Sequence, residues 1–510
     1  MGSDMKIALL HLLNRIKQEQ SIPESFIKAN ITSLHKNKGS RQCLDNDRGI
    51  FIVSTLRMIL DSLIYSDKFP IIDKNMSSSN IGARSQRNIR DHLFVIYAII
   101  NSVVNGDAKP VDVQIFDVEK CFDKLWLQDT MLDLVHTLPI EAHDDKIALL
   151  YKLNTENLIA VKTPYGLTDR FLVKDVVMQG GKWGPLQCSN SIDQIGSKCI
   201  KKQHNLYYYR NEVAIPPLAM VDDLLTVSNC GHESLDTNIR INTEIEMKNL
   251  RLHTATDKKK SKCHTIHVGK VCHPCRILKV HGHAMESVKS DSYLGDILRS
   301  DGKNNQTIDE RVSKGVGIVS QIFDILKEVN FGHYYFEAAL TLRQSFLISG
   351  MLFNSEIWYG LTTAQIERLE AVDLTFFRKL FKVASSCPKE SFYLETGSLP
   401  FSIIIQSRRL KYLHHLATRN TDEMLFRVFD SQWRIGCKYD WTEQSKRDLQ
   451  SWGLKIDLKW VKSKPKFAFK NIIREKSREV AFNQLLEQKK KTFKIKKSSL
   501  RRATDSRVSK

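Results

Sequence analysis

Two adjacent acids, Asp222 and Asp223, interrupt an otherwise apolar stretch. Pro217-Leu218-Ala219-Met220-Val221 precedes them and Leu224-Leu225-Thr226-Val227 follows. Apolar runs joined by a short polar break predict a β-hairpin with the acids at its tip. Side chains alternate along a strand, so two neighbouring acids rarely both face a core. A divalent cation at the tip would account for the pair. An ordinary acidic loop would too, and Asp144-Asp145 is a second such pair.

A third acid bears on that choice. Val111-Asp112-Val113-Gln114-Ile115-Phe116-Asp117 alternates apolar and polar residues, which predicts a half-buried strand ending at Asp117. Val118 to Trp126 then reads as a helix start, where Asp117 alone would pass for an N-cap. An acid at a strand end beside an Asp-Asp hairpin is also the carboxylate set of a two-metal phosphoryl-transfer site. Mg²⁺ takes oxygen ligands, typically one or two carboxylates plus substrate phosphates.

These residues and further motifs in order along the chain resemble reverse transcriptases, specifically the non-LTR retrotransposon branch. Asp117-x-x-x-x-Phe122-Asp123 and Val221-Asp222-Asp223 resemble the catalytic motifs, with Gln179-Gly180 between them. Leu34 to Gly39 and Asp47-Arg48-Gly49-Ile50 resemble two fingers motifs, and Asn80 to Asp91 the branch's insertion. Lys262 to Gly269 and Tyr293-Leu294-Gly295 resemble the segments after the catalytic hairpin. Glu395 to Pro400 with Arg408-Arg409-Leu410 resembles the region beyond the thumb. Departures are Met220, Met178 and Ala83, where the family has an aromatic residue, Pro and Phe; none removes a catalytic group.

The resemblance implies an α+β right-hand polymerase: fingers, a palm of antiparallel sheet plus helices, a helical thumb and a mostly helical basic extension. It implies an RNA-directed DNA polymerase that extends a DNA primer on an RNA template with deoxynucleoside triphosphates. Asp117, Asp222 and Asp223 would hold Mg²⁺ or Mn²⁺. Lys36, or its neighbour Lys38, and Arg48 would hold the triphosphate, and Gln179 and Gly180 would lie under the nucleotide and template. Phe122 would exclude a ribose 2′-OH, which argues against an RNA-templated RNA polymerase; Lys262 would act as an acid toward pyrophosphate, despite the nearby Lys258-Lys259-Lys260. Arg84 and Arg87 would track the template backbone. Two alternatives stand beside this: an inactive or domesticated RNA-binding relative of the fold, and a group II intron-type maturase. The first fingers motif starts near residue 22, so no upstream endonuclease is expected.

Composition agrees with a nucleic-acid partner. The net charge is +20, and residues 461–510 alone carry 17 Lys+Arg against 4 Asp+Glu. A clustered basic excess is the electrostatic footprint of nucleic-acid binding, although a solvated tail has the same composition. Ten scattered cysteines suit a reducing, intracellular setting in cytoplasm or nucleus. Cys272 and Cys275 with His281 and His283 suggest a zinc site, but one residue between the histidines is short for it. There is no run of 18 apolar residues, so no membrane span is expected.

Five segments follow: an N-terminal helix and fingers over 1–110, palm over 111–300, thumb over 301–385, helical extension over 386–460 and basic tail over 461–510. The first helix should carry Ile7, Leu10, Leu13 and Ile16 on one side, and helices are expected near 50–66 and 89–105. Ile366, Leu369, Val372, Phe376 and Leu380 recur at helical spacing.

Overall fold

The computed structural model describes residues 2–37, 39–174, 177–201, 206–254, 261–270, 277–329, 331–437 and 439–508. Helix and sheet are mixed, 56% helical, and the C-terminal region is helical. The chain divides into two compact units: Met1–His92 with Lys109–Lys289, and Leu93–Ala108 with Ser290–Lys510. The five segments read from the sequence are thus distributed over two units, and helix Ile89–Val104 crosses the division.

The first unit holds two five-stranded sheets. In one, Lys28–His35 pairs antiparallel with Asp47–Val53 and parallel with Glu156–Thr163. Residues 50–53 are therefore strand, not the start of the expected helix. Ile50-Phe51-Ile52-Val53 is rich in β-branched side chains, which suit a pleated surface. The helix begins only at Thr55, where Ser54 caps it by accepting from the Arg57 N–H at 3.2 Å. The first helix, Ser3–Glu19, forms as read, but only Leu13 and Ile16 of its stripe are buried. Ile7 and Leu10 are 55% and 59% exposed, because the packed face runs through Leu9, Leu12, Leu13 and Ile16, and at 3.6 residues per turn Ile7 falls on the side away from it.

The second sheet runs in the order Glu286–Ser287, His264–Val268, Val111–Asp117, Asp223–Asn229, Leu218–Met220. It is antiparallel except at its Glu286–Ser287 edge. Alternation sends Phe116 and Leu224 to one face, where they pack on Cys188, Ile192 and Ile195 of helix Trp183–Lys201 and on Ile241 and Ile245 of helix His232–Met247. Burying each such side chain contributes about 1.5–3 kcal/mol. Gln114, on that face, donates to the Ser234 carbonyl at 2.9 Å and accepts from Asn238 at 3.2 Å. Asp117 and Asp223 leave from the opposite face, which frees them from that core.

The second unit contains the hairpin Ser290–Tyr293 and Asp296–Arg299 and is otherwise mainly helical, with Asn305–Glu328, Thr363–Phe381, Phe401–Ala417 and Trp441–Ser451 among its helices. Thr362 and Gln365 cap Thr363–Phe381 reciprocally, and Leu369, Val372, Phe376 and Leu380 are buried, as their spacing predicts. Phe94, Tyr412 and Trp441 meet edge to face at 5.3–6.2 Å. The basic tail is a helix, Lys466–Val508, whose Phe469, Ile473, Ala481 and Leu485 are buried. Its first half is packed structure rather than a solvated terminus. Among the described residues no helix is long and apolar enough to cross a membrane.

Candidate active site

The hairpin read from the sequence is present, and its register sets the site. Asp223 pairs with Met220 across a two-residue loop and with Asp117 across the neighbouring strand. Directly opposed residues share a face with Cβ atoms about 4.5–5.5 Å apart. Asp222 occupies the loop, and its carbonyl accepts from the Val118 N–H at 3.4 Å. The three acids therefore gather at one end of the sheet.

Val221 holds that loop at φ +58°. A positive φ at the first loop position alone matches a type II′ turn, where glycine is usual. For a β-branched residue it costs on the order of 1–3 kcal/mol, which surrounding structure has to offset. The Asn80–Gly82 segment supplies part of that support. Ile81 donates to the Ala219 carbonyl at 2.9 Å, and Ala219 donates to that of Ser79 at 3.1 Å. Asn80 donates to the Ser189 carbonyl at 2.8 Å and accepts from the Ser189 hydroxyl at 2.9 Å. A Cβ on Gly82 would meet Ser189 Oγ and the Val221 nitrogen, both at 2.6 Å. No other residue lets the loop come this close.

Charge around the acids is uneven. Lys262 Nζ lies 2.7 Å from Asp117 Oδ2. Burial pushes the Asp222 carboxyl up, its own backbone hydrogen bond opposes this, Asp117 adds to the rise, and Lys262 and Arg48 pull it down. Burial, then the charges of Asp222 and Asp117, push Asp223 up to about 6, against Lys262. Asp117 is fixed from behind: its carbonyl accepts from the His253 N–H at 2.9 Å and its N–H donates to Cys263 Sγ at 3.5 Å. The donors are all oxygen and the charges repel one another, so the set fits a hard divalent cation.

Gln179 and Gly180 run beside the Arg48 strand. The Gln179 carbonyl accepts from the Phe51 N–H at 2.8 Å. Gly180 has φ +118°, and a Cβ there would meet the Phe51 carbonyl oxygen at 2.7 Å. Both the backbone angle and the space require glycine. Phe122 is half-buried against the sheet core, its ring edge 3.7 Å from the point a Cβ on Gly184 would occupy. Lys36 is exposed just past the end of the partner strand, its N–H donating to the Asn46 carbonyl at 2.7 Å. Lys38 and Lys258 to Lys260 lie outside the described residues.

No protein-family profile matches the chain, and no curated protein does. Among solved structures it is similar to a telomerase from Candida tropicalis in complex with a TWJ fragment of telomeric RNA, over 91% of this chain and 67% of that one, at TM-score 0.43 and 12% identity. A telomerase from Candida albicans in complex with such a fragment matches over 74% and 65%, at 0.39 and 12%. Apo telomerase from Candida tropicalis, truncated from its C-terminal domain, matches over 58% and 59%, at 0.37 and 11%. The chain thus spans less than two thirds of the length of these last two. At these scores and identities the likeness bears on neither family nor activity.

One expected role meets a different geometry. Arg84 was expected on a template backbone, but its guanidinium is turned inward. Nε donates to Asp73 Oδ1 at 2.7 Å, Nη1 to the Asn80 carbonyl at 3.0 Å and to that of Ser77, and Nη2 to that of Asp73. Its planar fork staples the loop that supports the hairpin. Arg87 lies close enough to His92 for its charge to add to the burial that pushes that ring down to about 4. Of the Cys and His set whose spacing is short for zinc, Cys272 and Cys275 lie outside the described residues. His281 is engaged elsewhere: Nδ1 lies 2.9 Å from Glu246 Oε1, and Nε2 accepts from the Leu252 N–H at 2.9 Å. The sequence reading missed Asn80, Gly82 and Ser189 as supports of the hairpin; the one available signal was the Asn-x-Gly spacing of an Asx turn, which Gly82 closes on Asn80 Oδ1 at 3.0 Å.

Proposed function

We propose that this chain is an RNA-directed DNA polymerase of the non-LTR retrotransposon type, extending a DNA primer on an RNA template, with the Asp117 sheet as its palm. The observation that carries the reading is the register that opposes Asp223 to Asp117, with Asp222 in the loop between paired strands. Phosphoryl transfer asks a protein mainly for positioning and charge. Asp117, Asp222 and Asp223 would hold Mg²⁺ or Mn²⁺, which when bound lowers the pKa of the primer hydroxyl and neutralises charge on the phosphates. The primer 3′-hydroxyl gives up its proton to water, its oxygen bonds to the α-phosphorus, the bond from that phosphorus to the α,β-bridging oxygen breaks, and pyrophosphate leaves. Arg48 and Lys36 bind the triphosphate, Arg by a bidentate fork and Lys as a point charge. Lys262 stands beside Asp117, where a protonated amine can pass its proton to the leaving oxygen.

A cationic cluster in the second unit supports the nucleic-acid part of the reading. The Lys411 amine is pushed down by burial and then by Lys470, Arg408 and Arg474. Such like charges are gathered at a cost that a phosphate backbone would offset.

Primer extension on an RNA template tests the reading directly. Wild type extends with deoxynucleotides; Asp222→Asn loses extension by about 1,000-fold, or ~4 kcal/mol at ~1.4 kcal/mol per decade, and keeps template binding. A wild type that binds RNA without extending it would leave the inactive RNA-binding alternative in its place. Deleting residues 491–510 removes 8 Lys+Arg and 1 Asp while sparing the buried positions up to Leu485. The salt slope of single-strand binding then shrinks by as much as ~5, at about 0.7 per charge. An unchanged slope would assign those charges to solvent.

A further inference from the structure

Three side chains at the far end of the same sheet form a second constellation. Asp112 and His267 are directly opposed on neighbouring antiparallel strands, and Cys230 follows the last residue of the strand on Asp112's other side. Ser228 pairs with Asp112, so Cys230, two residues on, is its diagonal neighbour on the same face. One ligand atom from each of the three lies within 4.8 Å of the other two. Among the described residues such a trio occurs here and not at Asp117, Asp222 and Asp223. Asp112 and Asp117 are five residues apart on one strand, roughly 17 Å at about 3.4 Å per residue, and on opposite faces. The constellation is therefore separate from the catalytic acids and owes nothing to the polymerase reading.

The hydrogen bonds around His267 narrow what it can do. Nε2 lies 3.2 Å from the Lys270 carbonyl oxygen, and a carbonyl only accepts, so Nε2 carries a hydrogen. Nδ1 lies 2.8 Å from Asp112 Oδ1, which also only accepts as a carboxylate. A positive centre has to lie between them: a proton on the ring, giving an ion pair, or a metal ion that both ligate. The placement of Cys230 Sγ favours the metal, as does the Lys270 carbonyl, since a metal-ligating histidine commonly donates its other N–H to just such a group.

We infer that Asp112, Cys230 and His267 bind a zinc-class divalent cation that clamps the three central strands of the sheet. Sulfur excludes Mg²⁺ and Ca²⁺, which select all-oxygen sites. Nitrogen, oxygen and sulfur donors together match Zn²⁺, with the fourth tetrahedral position left to water. Ligand-to-ligand edges in such a site, with bonds of about 2.0–2.3 Å, run about 3.3–3.8 Å. The observed separations bracket that range: His267 Nδ1 and Asp112 Oδ1 lie 2.8 Å apart, and all three ligand atoms lie within 4.8 Å of one another.

The full-length chain, stripped with a chelator and titrated with Co²⁺ and then Zn²⁺, tests this. One equivalent of Co²⁺ should give a thiolate-to-cobalt absorption band that Zn²⁺ displaces. Cys230→Ser should remove the band, and His267→Ala should weaken Zn²⁺ binding beyond the about 10–100-fold typical of losing an outer-shell partner. A Cys272→Ser/Cys275→Ser variant should keep the band. A wild type without it, or a band that survives Cys230→Ser, overturns the assignment. An arm free of substitutions guards against variants that fail to fold. In the wild type, Zn²⁺ should slow alkylation of Cys230 at least tenfold while leaving the exposed Cys43 unchanged, read residue by residue by peptide mass. Equal rates at Cys230 with and without Zn²⁺ would reduce the constellation to an Asp112–His267 ion pair.

Discussion

Asp223 in the first unit and Asp373 in the second are both withdrawn from water, and their surroundings treat them in opposite ways. Asp373 has no exposed surface, and Arg343 grips it from Nε at 2.7 Å and Nη2 at 2.6 Å, with the Tyr393 hydroxyl donating at 3.1 Å. Asp223 faces Asp117 and adjoins Asp222, and its carboxyl is pushed up to about 6. Burial alone does not separate structure from function. The sign of the nearest charge does: an acid against a guanidinium is neutralised where it stands, whereas an acid against acids carries a charge that its neighbours oppose.

The largest expected effect tests the neutralised half of the contrast. Removing one partner of a buried ion pair strands the other, at about 3–5 kcal/mol. Asp373→Ala should therefore destabilise the second unit by that amount, seen in its denaturant unfolding transition. Asp373→Leu with Arg343→Met should recover most of the loss. A loss under about 1 kcal/mol in Asp373→Ala would mean that the pair contributes no more than a surface contact.

Asp223→Asn tests the other half, and the sign is opposite. An unfolded Asp titrates near 3.9. The folded value near 6 means that the folded protein binds more protons between about pH 4 and 6. Stability conferred by the protonated acid is therefore lost as pH rises through that window. At neutral pH, in chelator, the wild type carries a cost on the order of 2–3 kcal/mol at ~1.4 kcal/mol per pKa unit. Asn removes it. The variant should be the more stable protein at pH 7.5, with the gap closing by about pH 4, and Mg²⁺ should stabilise wild type but not variant. A variant less stable than wild type at pH 7.5 would place Asp223 with Asp373.

The sequence revealed the hairpin, the Asp117 strand and the helical spacing of Leu369 to Leu380 because each rests on a local period that packing left intact. It did not reveal Arg84's role. An arginine in a loop has the same sequence signature whether its fork meets a phosphate or the carbonyls of Ser77 and Asn80. It misplaced residues 50–53 because four apolar residues in a row fit a buried helix or a strand equally well until the partner Lys28–His35 is known. It did not join Asp112, Cys230 and His267, which lie far apart in the chain and meet only through strand register.

Phe122 belongs to both sides of the contrast, so it gives the smallest effect and the finest test. Its ring packs with the core formed by Cys121, Leu125 and Cys188, yet it is half-buried and stands five residues beyond Asp117. If the ring bounds the nucleotide's sugar, Phe122→Val opens room for a 2′-OH. Ribonucleotide use should then rise relative to deoxynucleotide use by about tenfold, equivalent to ~1.4 kcal/mol, with little loss of deoxynucleotide incorporation. If the ring only packs, the variant leaves a cavity and loses ~1–3 kcal/mol of stability with no change in sugar choice. The ratio of specificity constants for the two sugars, measured beside the unfolding transition of the same preparation, separates the outcomes. A shifted ratio in a protein of nearly wild-type stability assigns Phe122 to the acids' side of the molecule. A destabilised protein with an unshifted ratio returns it to the core.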